Sequence, residues 1–147
     1  MAVRNFPETI QGMLVGDVPL PPITQLIGFD LISAGQGQAS FTFQAEPRHA
    51  NALGTLHGGV LCDVTDMAMG LAYATTLASG ESFTTIELKI NFLRPVWTGL
   101  LSATARVVKG GRTLGLVECD VLDAQQRLVA RASSTCLTLR GEAAEGR

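Results

Sequence analysis

The sequence has little of what most specialised chemistry demands. Its three cysteines, Cys62, Cys119 and Cys136, are odd in number and show no C-x-x-C spacing. They suggest neither a disulfide framework nor a zinc ribbon. Each lies in a periodic apolar segment with no histidine close in sequence, as expected of reduced thiols serving as small apolar residues rather than nucleophiles. Only two histidines occur, His49 and His57. With no cysteine cluster beside them, no metal site is expected. The absence of G-x-G-x-x-G and of G-x-x-x-x-G-K-S/T argues against dinucleotide and P-loop binding. A net charge of −2 and a pI near 5.6 leave no basic footprint for nucleic acid. No apolar run approaches the roughly 18 residues that span a bilayer. The first residues, MAVRNFPETIQGML, carry Arg4 but no continuous apolar core, so no signal peptide is expected and the cytoplasm is the expected location. There is no internal repeat and no low-complexity segment.

What is present is apolar. Hydrophobic residues make up 46% of the 147, and charged residues only 16%. So few charges on one small domain imply that part of its surface is buried against another copy of the chain.

The expected organisation is an N-terminal segment over residues 1–25, one domain over 26–140 and a disordered tail over 141–147. Pro7 favours a short helix over residues 6–16. The PLPP stretch at 19–22 is expected to stop regular structure and act as a stiff connector. Strands are expected at about 27–34 and 38–46, joined by the turn AGQGQ, with the aromatics of QASFTFQAE on both faces. EPRHANALGTLHGG follows, a long loop of the kind that often carries function. From Gly58 to Leu77, Val60, Leu61, Val64, Met67, Ala68, Leu71 and Ala72 recur at helical spacing. Apolar residues also spread around the other sides, so a central helix buried on most faces is expected.

Four more strands are expected, over SFTTIELKINFL, LLSATARVV, TLGLVECDVLD and RLVARASSTCLTLR. The first stops at Arg94-Pro95, because proline cannot continue a ladder. In the second, Leu101, Ala103, Ala105 and Val107 share one face. The last two connections are short and make their strands antiparallel neighbours. The order β-β-α-β-β-β-β with one greasy helix reads as an α+β fold, a curved antiparallel sheet wrapped around one long central helix. Its exposed edge strand favours pairing between two chains, hence a homodimer.

Within HGGVLCDVTD, residues 57–66, two carboxylates stand in apolar company. Asp63 falls in the first turns, where the helix dipole stabilises it. Asp66 lies two turns in, flanked by Met67, Ala68 and Met69. Burial of an unpaired carboxylate there would cost several kcal/mol, so Asp66 is expected to face a cleft.

The pattern N-x-x-G-x-x-H-G-G (Asn51, Gly54, His57, Gly58, Gly59), with Asp66 nine residues after the histidine, resembles the hotdog-fold acyl-CoA thioesterases. The PaaI-like, phenylacetate-degradation branch of the 4-hydroxybenzoyl-CoA thioesterase superfamily is the nearest in kind. FLRPVWTG, residues 92–99, resembles a strand end of the same family, and the likeness spans roughly residues 38–140. The resemblance implies a hotdog fold and hydrolysis of an aryl or medium-chain acyl-CoA to free acid and CoA. No cofactor is implied, since CoA belongs to the substrate. It further implies that the thioester carbonyl sits on the N–H of Gly58 or Gly59, where unpaired donors and the helix dipole favour an oxyanion. Asp66 then corresponds to the family's carboxylate, a general base or a nucleophile. Asn51 would orient the reactants, His57 would hold the loop or approach the carbonyl, and Thr85, with Thr84 as its opposite-facing neighbour, would hold the water. Arg94, Lys109 and Arg112 are the candidate cations for the CoA phosphates. Related branches carry Glu at the Asp66 position and a hydroxyl residue one turn later; here that later residue is Gly70, which argues for the Asp-type branch.

The rival reading is a non-catalytic acyl-CoA-binding module on the same fold, which would need the pocket but no carboxylate at its centre. An enoyl hydratase would call for a His-Asp arrangement that is missing. On the implied roles, Gly58 and Asp66 are eight residues apart, about 12 Å along a helix axis. They cannot meet on one thioester within one chain. A homodimer with composite active sites is therefore expected, with assembly into a dimer of dimers, a homotetramer.

Overall fold

In the computed structural model, residues 5–146 are described; Met1–Arg4, at the start of the N-terminal segment, and Arg147, at the end of the tail, lie outside them. Helix α1 spans Phe6–Val15. Asn5 caps it by accepting the Glu8 N–H, Pro7 sits in its first turn, and Gly16 closes it in the left-handed region at φ 85°. The connector that follows is shorter than the prolines suggest. Pro22–Ile27 form a second helix, α2, because proline's fixed φ suits a first helical position as well as it suits a stiff linker. Gly28, at φ 92°, ends α2, so strand β1 begins at Phe29 rather than at residue 27.

Strand β1 is Phe29–Gly35, β2 is Gln38–Ala45, β3 is Ser82–Phe92, β4 is Gly99–Gly110, β5 is Leu114–Asp123 and β6 is Leu128–Leu139. They form one six-stranded sheet in the order β1-β2-β4-β5-β6-β3, and every neighbouring pair is antiparallel. Strands β1 and β3 are therefore the edges. The expectation of aromatics on both faces of β2 is corrected: Ala39, Phe41, Phe43 and Ala45 lie two apart and all point inward. On β4, Leu101, Ala103 and Ala105 line the same interior, with Val107 packed against it.

The central helix, α3, spans Gly58–Ala74 and crosses the concave face of the sheet. It stops short of Leu77 because Thr75 and Thr76 turn their hydroxyls back onto the carbonyls of Ala72 and Tyr73, each at 2.7 Å. Val64, Ala68, Met69 and Ala72 are buried against the strands. Tyr73 fixes the far end through a 2.7 Å hydrogen bond between its hydroxyl and Thr138 Oγ1. Its ring occupies the space a side chain at Gly115 would need. Burial is not all-round, however: Cys62, Asp63 and Asp66 remain on a flank that the protomer leaves open. After β6, residues 141–144 form a 3-10 turn where the sequence suggests disorder. Arg140 anchors the start of that segment to Glu81 at 2.7 Å.

Candidate active site

The loop ahead of α3 is held by a histidine that sequence reasoning considered only as a metal ligand. His49 is buried, accepts the Glu46 N–H at Nδ1 (3.0 Å) and so donates from Nε2 to Ile27 O (2.8 Å). Its carbonyl accepts the His57 N–H at 2.9 Å, and Leu56 N–H is fixed on Val96 O at 2.7 Å. Helix α3 therefore starts at a point defined by β2, the end of α2 and the segment after β3.

At that start His57 is the cap. Its Nδ1 accepts the Gly59 N–H at 2.8 Å, and its carbonyl accepts the Val60 N–H at 3.1 Å. Of the first three helical N–H groups, only that of Gly58 is left without an acceptor among the described residues. Of the two glycines, Gly58 is thus the one whose N–H remains available to a ligand. The space over it is tight: a Cβ on Gly58 would lie 2.7 Å from Phe92 Cζ. Gly58 lines a cleft of about 380 Å³ together with Asn51, Thr55, Leu61, Phe92 and Arg94. Asn51 also builds the turn, its Oδ1 accepting the Leu53 N–H at 2.8 Å and its Nδ2 donating to Thr55 Oγ1 at 3.1 Å.

Asp66 lies elsewhere along the helix. Thr85 Oγ1 donates to Asp66 Oδ1 at 3.2 Å. The β3 register explains why Thr85 and not Thr84 does so: Thr85 pairs with buried Cys136 and faces inward, whereas Thr84 pairs with Leu137 on the outer face. Although one side of Asp66 opens to solvent in the single protomer, desolvation by its apolar surroundings raises its pKa; the Thr85 hydrogen bond works against this and the Asp63 charge adds to it. A carboxylate with raised proton affinity, held by one oriented donor, is suited to taking a proton.

Within one protomer, then, Asn51, Gly58 and Arg94 share one cleft, and Asp66 and Thr85 share another place. Lys109 and Arg112 join neither. They sit at the β4–β5 hairpin, level with the Leu114–Leu137 end of the sheet, with Arg94 beyond the opposite end of β3. Phe92, which roofs Gly58, was missed as a site residue, although it opens the FLRPVWTG segment. The three cysteines are free, and burial raises the pKa of each, that of Cys119 to about 12, which favours the protonated thiol over the thiolate nucleophile. Among the described residues no three His, Cys, Asp or Glu side chains gather to hold a metal ion, and no helix is long and apolar enough to cross a membrane.

Comparison with known proteins adds a family to this geometry. The family model described as the thioesterase superfamily matches residues 53–130. Acyl-coenzyme A thioesterase PaaI of Escherichia coli is 34% identical over 71% of this chain and 73% of its own length. Human acyl-coenzyme A thioesterase 13 is 31% identical over 71% of this chain and 76% of its own. The crystal structure of a phenylacetic acid degradation-related protein from Ralstonia eutropha superposes with a TM-score of 0.80 at 29% identity, covering 91% of this chain and 99% of that one.

Proposed function

The chain belongs to the thioesterase superfamily, as a thioester hydrolase of the PaaI-like hotdog type, and from that premise we propose that it hydrolyses an acyl-CoA with Asp66 as general base and the Gly58 N–H as oxyanion donor. Water held between Asp66 and Thr85 gives a proton to the free carboxylate oxygen as its own oxygen attacks the carbonyl carbon. The carbonyl electrons move onto oxygen, where the Gly58 N–H and the positive end of α3 meet the developing charge. Collapse of this intermediate breaks the C–S bond, and the departing CoA thiolate recovers the proton from Asp66. The products are the acid and free CoA. Arg94, in the Gly58 cleft, is the nearest candidate for a CoA phosphate, with Lys109 and Arg112 reaching the CoA portion of the substrate from another part of the assembly.

The observation that carries this reading is Asp66 itself, a partly desolvated carboxylate with raised pKa, oriented by Thr85. A binding module has no use for such a group. The test is release of free thiol, followed with DTNB, across a panel of acyl-CoAs from acetyl to dodecanoyl and including aryl-acetyl thioesters. Thioester cleavage by the purified chain is expected, and binding without cleavage of any member would overturn the proposal.

The two half-sites are proposed to meet across a homodimer. On β3, Thr85 underlies Asp66 and Phe92 covers Gly58. Seven residues of strand separate them, about 23 Å at 3.3 Å per residue. Isologous antiparallel pairing of two β3 edges, centred between Leu88 and Lys89, sets Thr85 of each chain opposite Phe92 of the other. The same pairing covers the exposed Ile86 and Phe92 and satisfies the open edge. A dimer of such dimers, packed through the outer sheet face where Leu114 and Leu116 are exposed, and a cytoplasmic location suited to three unpaired thiols complete the proposal.

A further inference from the structure

Resting on that reading of Asp66, we infer that the acyl group lies in an apolar groove between α1 and α3 of the same chain, and that the N-terminal helix α1 therefore sets acyl selectivity. Phe6, Thr9, Ile10 and Met13 recur on α1 at spacings of three and four and form one stripe facing the groove. Asp66, Gly70 and Ala74 form the facing stripe on α3, four residues apart each time. Two helices packed through such stripes normally interlock. Here Gly70 and Ala74 offer almost no side chain, and a groove of about 280 Å³ remains. Phe83 forms its base, set edge-on against Phe6 at 5.9 Å and against Tyr73 at 5.7 Å between ring centroids.

The polar groups are confined in a way that orients a ligand. Thr9 Oγ1 is already committed to Asn5 O at 2.9 Å. Asp66 and Thr85 stand together as the other polar side chains of the groove. From Asp66 the α3 stripe runs about 12 Å to Ala74 at 1.5 Å per residue. A ligand with one polar reacting end and one apolar tail thus has a single favourable direction, tail toward Ala74 and carbonyl toward Asp66. Size narrows the class further. A dry cavity of roughly 150 Å³ takes a benzene ring, and this groove is nearly twice that. It suits a single aromatic ring on a short spacer or a medium alkyl chain. Gly70 leaves little room for a larger residue: a Cβ there would already approach Phe83 Cζ to 3.3 Å.

The experiment compares kcat/KM for octanoyl-CoA and acetyl-CoA in the full-length protein, with folding checked by circular dichroism and assembly by native mass spectrometry. Gly70→Val, which fills the groove at its centre, is expected to lower the octanoyl-to-acetyl ratio at least about tenfold, the scale on which an apolar pocket discriminates by size. Met13→Trp fills it from the α1 side and serves if Gly70→Val fails to fold. Met13→Ala is expected to move the preference toward longer chains. Ratios unchanged in folded variants overturn the inference. Calorimetric binding of octanamide, a neutral amide with the same tail, separates the groove from the chemistry. Binding to the wild type that Met13→Trp abolishes supports the groove even if no thioester is cleaved, an outcome that would overturn only the thioesterase reading. Equal octanamide binding by both proteins, or by neither, overturns the groove.

Discussion

Thr85 Oγ1 donates a 3.2 Å hydrogen bond to Asp66 Oδ1, so an edge strand, β3, orients a carboxylate in the middle of the central helix. This leaves the second carboxylate oxygen to receive a proton. In the proposed reaction this pair activates the water.

Replacement of Asp66 by Asn removes the proposed base while keeping the shape. It should lower kcat by about 10²–10⁴-fold, the range of general-base catalysis. Asp63, exposed on the same flank, should tolerate Asn with little effect. Steady-state kinetics on the two variants checks this, and equal losses from both would refute the assignment.

The pH profile carries a sign. Burial raises the Asp66 pKa, so the limb over which kcat/KM rises with pH should lie above the ordinary aspartate value of 3.8. The Thr85 hydrogen bond lowers that pKa. Thr85→Val should therefore shift the limb to higher pH, besides lowering kcat at neutral pH. A limb that moves down or stays fixed would show that Thr85 does not act through the carboxylate.

The same shift has a stability consequence. An acid whose folded pKa exceeds its unfolded pKa holds more protons when folded, so stability is lost as pH rises through the window between the two values. Ionised Asp66 is then a burden at neutral pH. Asp66→Asn should melt above the wild type at pH 7, and the gap should close as the pH drops below 3.8. Differential scanning calorimetry at several pH values measures it.

At the start of α3, Gly58 and Gly59 should differ. Gly58→Val meets Phe92 and crowds an N–H that has no acceptor among the described residues, so KM should rise and kcat fall. The Gly59 N–H already serves His57, and Gly59→Ala, whose Cβ would lie 2.9 Å from His57 Nδ1 and displace that cap, should cost stability more than activity. His57→Ala removes the cap and should cost about 1 kcal/mol of stability. Kinetics and thermal melts of the three variants separate these effects.

Shared sites predict complementation. Asp66→Ala and Asn51→Ala proteins, each inactive, are unfolded and refolded together in equal amounts. A mixed dimer holds one intact site and one doubly broken site, so activity should return to about a quarter of wild type on random pairing under twofold symmetry. Confirmed subunit exchange without returned activity would rule out the composite site.

Much of this was legible in the sequence because the signals are local. The periodic apolar residues of α3, the alternation of β4 and the stop at Pro95 depend on neighbours a few positions away, and the helix and strands fall close to where they point. Eight residues of helix between Gly58 and Asp66 was enough to separate the two groups. Aromatics on both faces of β2 would break the strand's own two-residue period, and α2 is hidden because proline signals a helix start and a stiff linker alike.

The tertiary structure decided what depends on residues distant in the chain. Which glycine N–H stays free was settled by the His57 ring folding back onto Gly59, a side-chain rotamer that sequence spacing does not encode. That Thr85 rather than Thr84 serves Asp66 follows from the register of β3 on β6, which places Thr85 against Cys136, fifty-one positions away. His49 became the anchor of the site only when α2 and β2 brought Ile27 O and the Phe43 ring to it. The groove beside α1 was invisible for the same reason: what the Phe6, Thr9, Ile10 and Met13 stripe faces depends on a packing that leaves Gly70 and Ala74 opposite. Spacing along the chain determined which residues stand together on one element; only the packing of elements determined which of their groups were left without a partner, and those are the groups with which the chain can do chemistry.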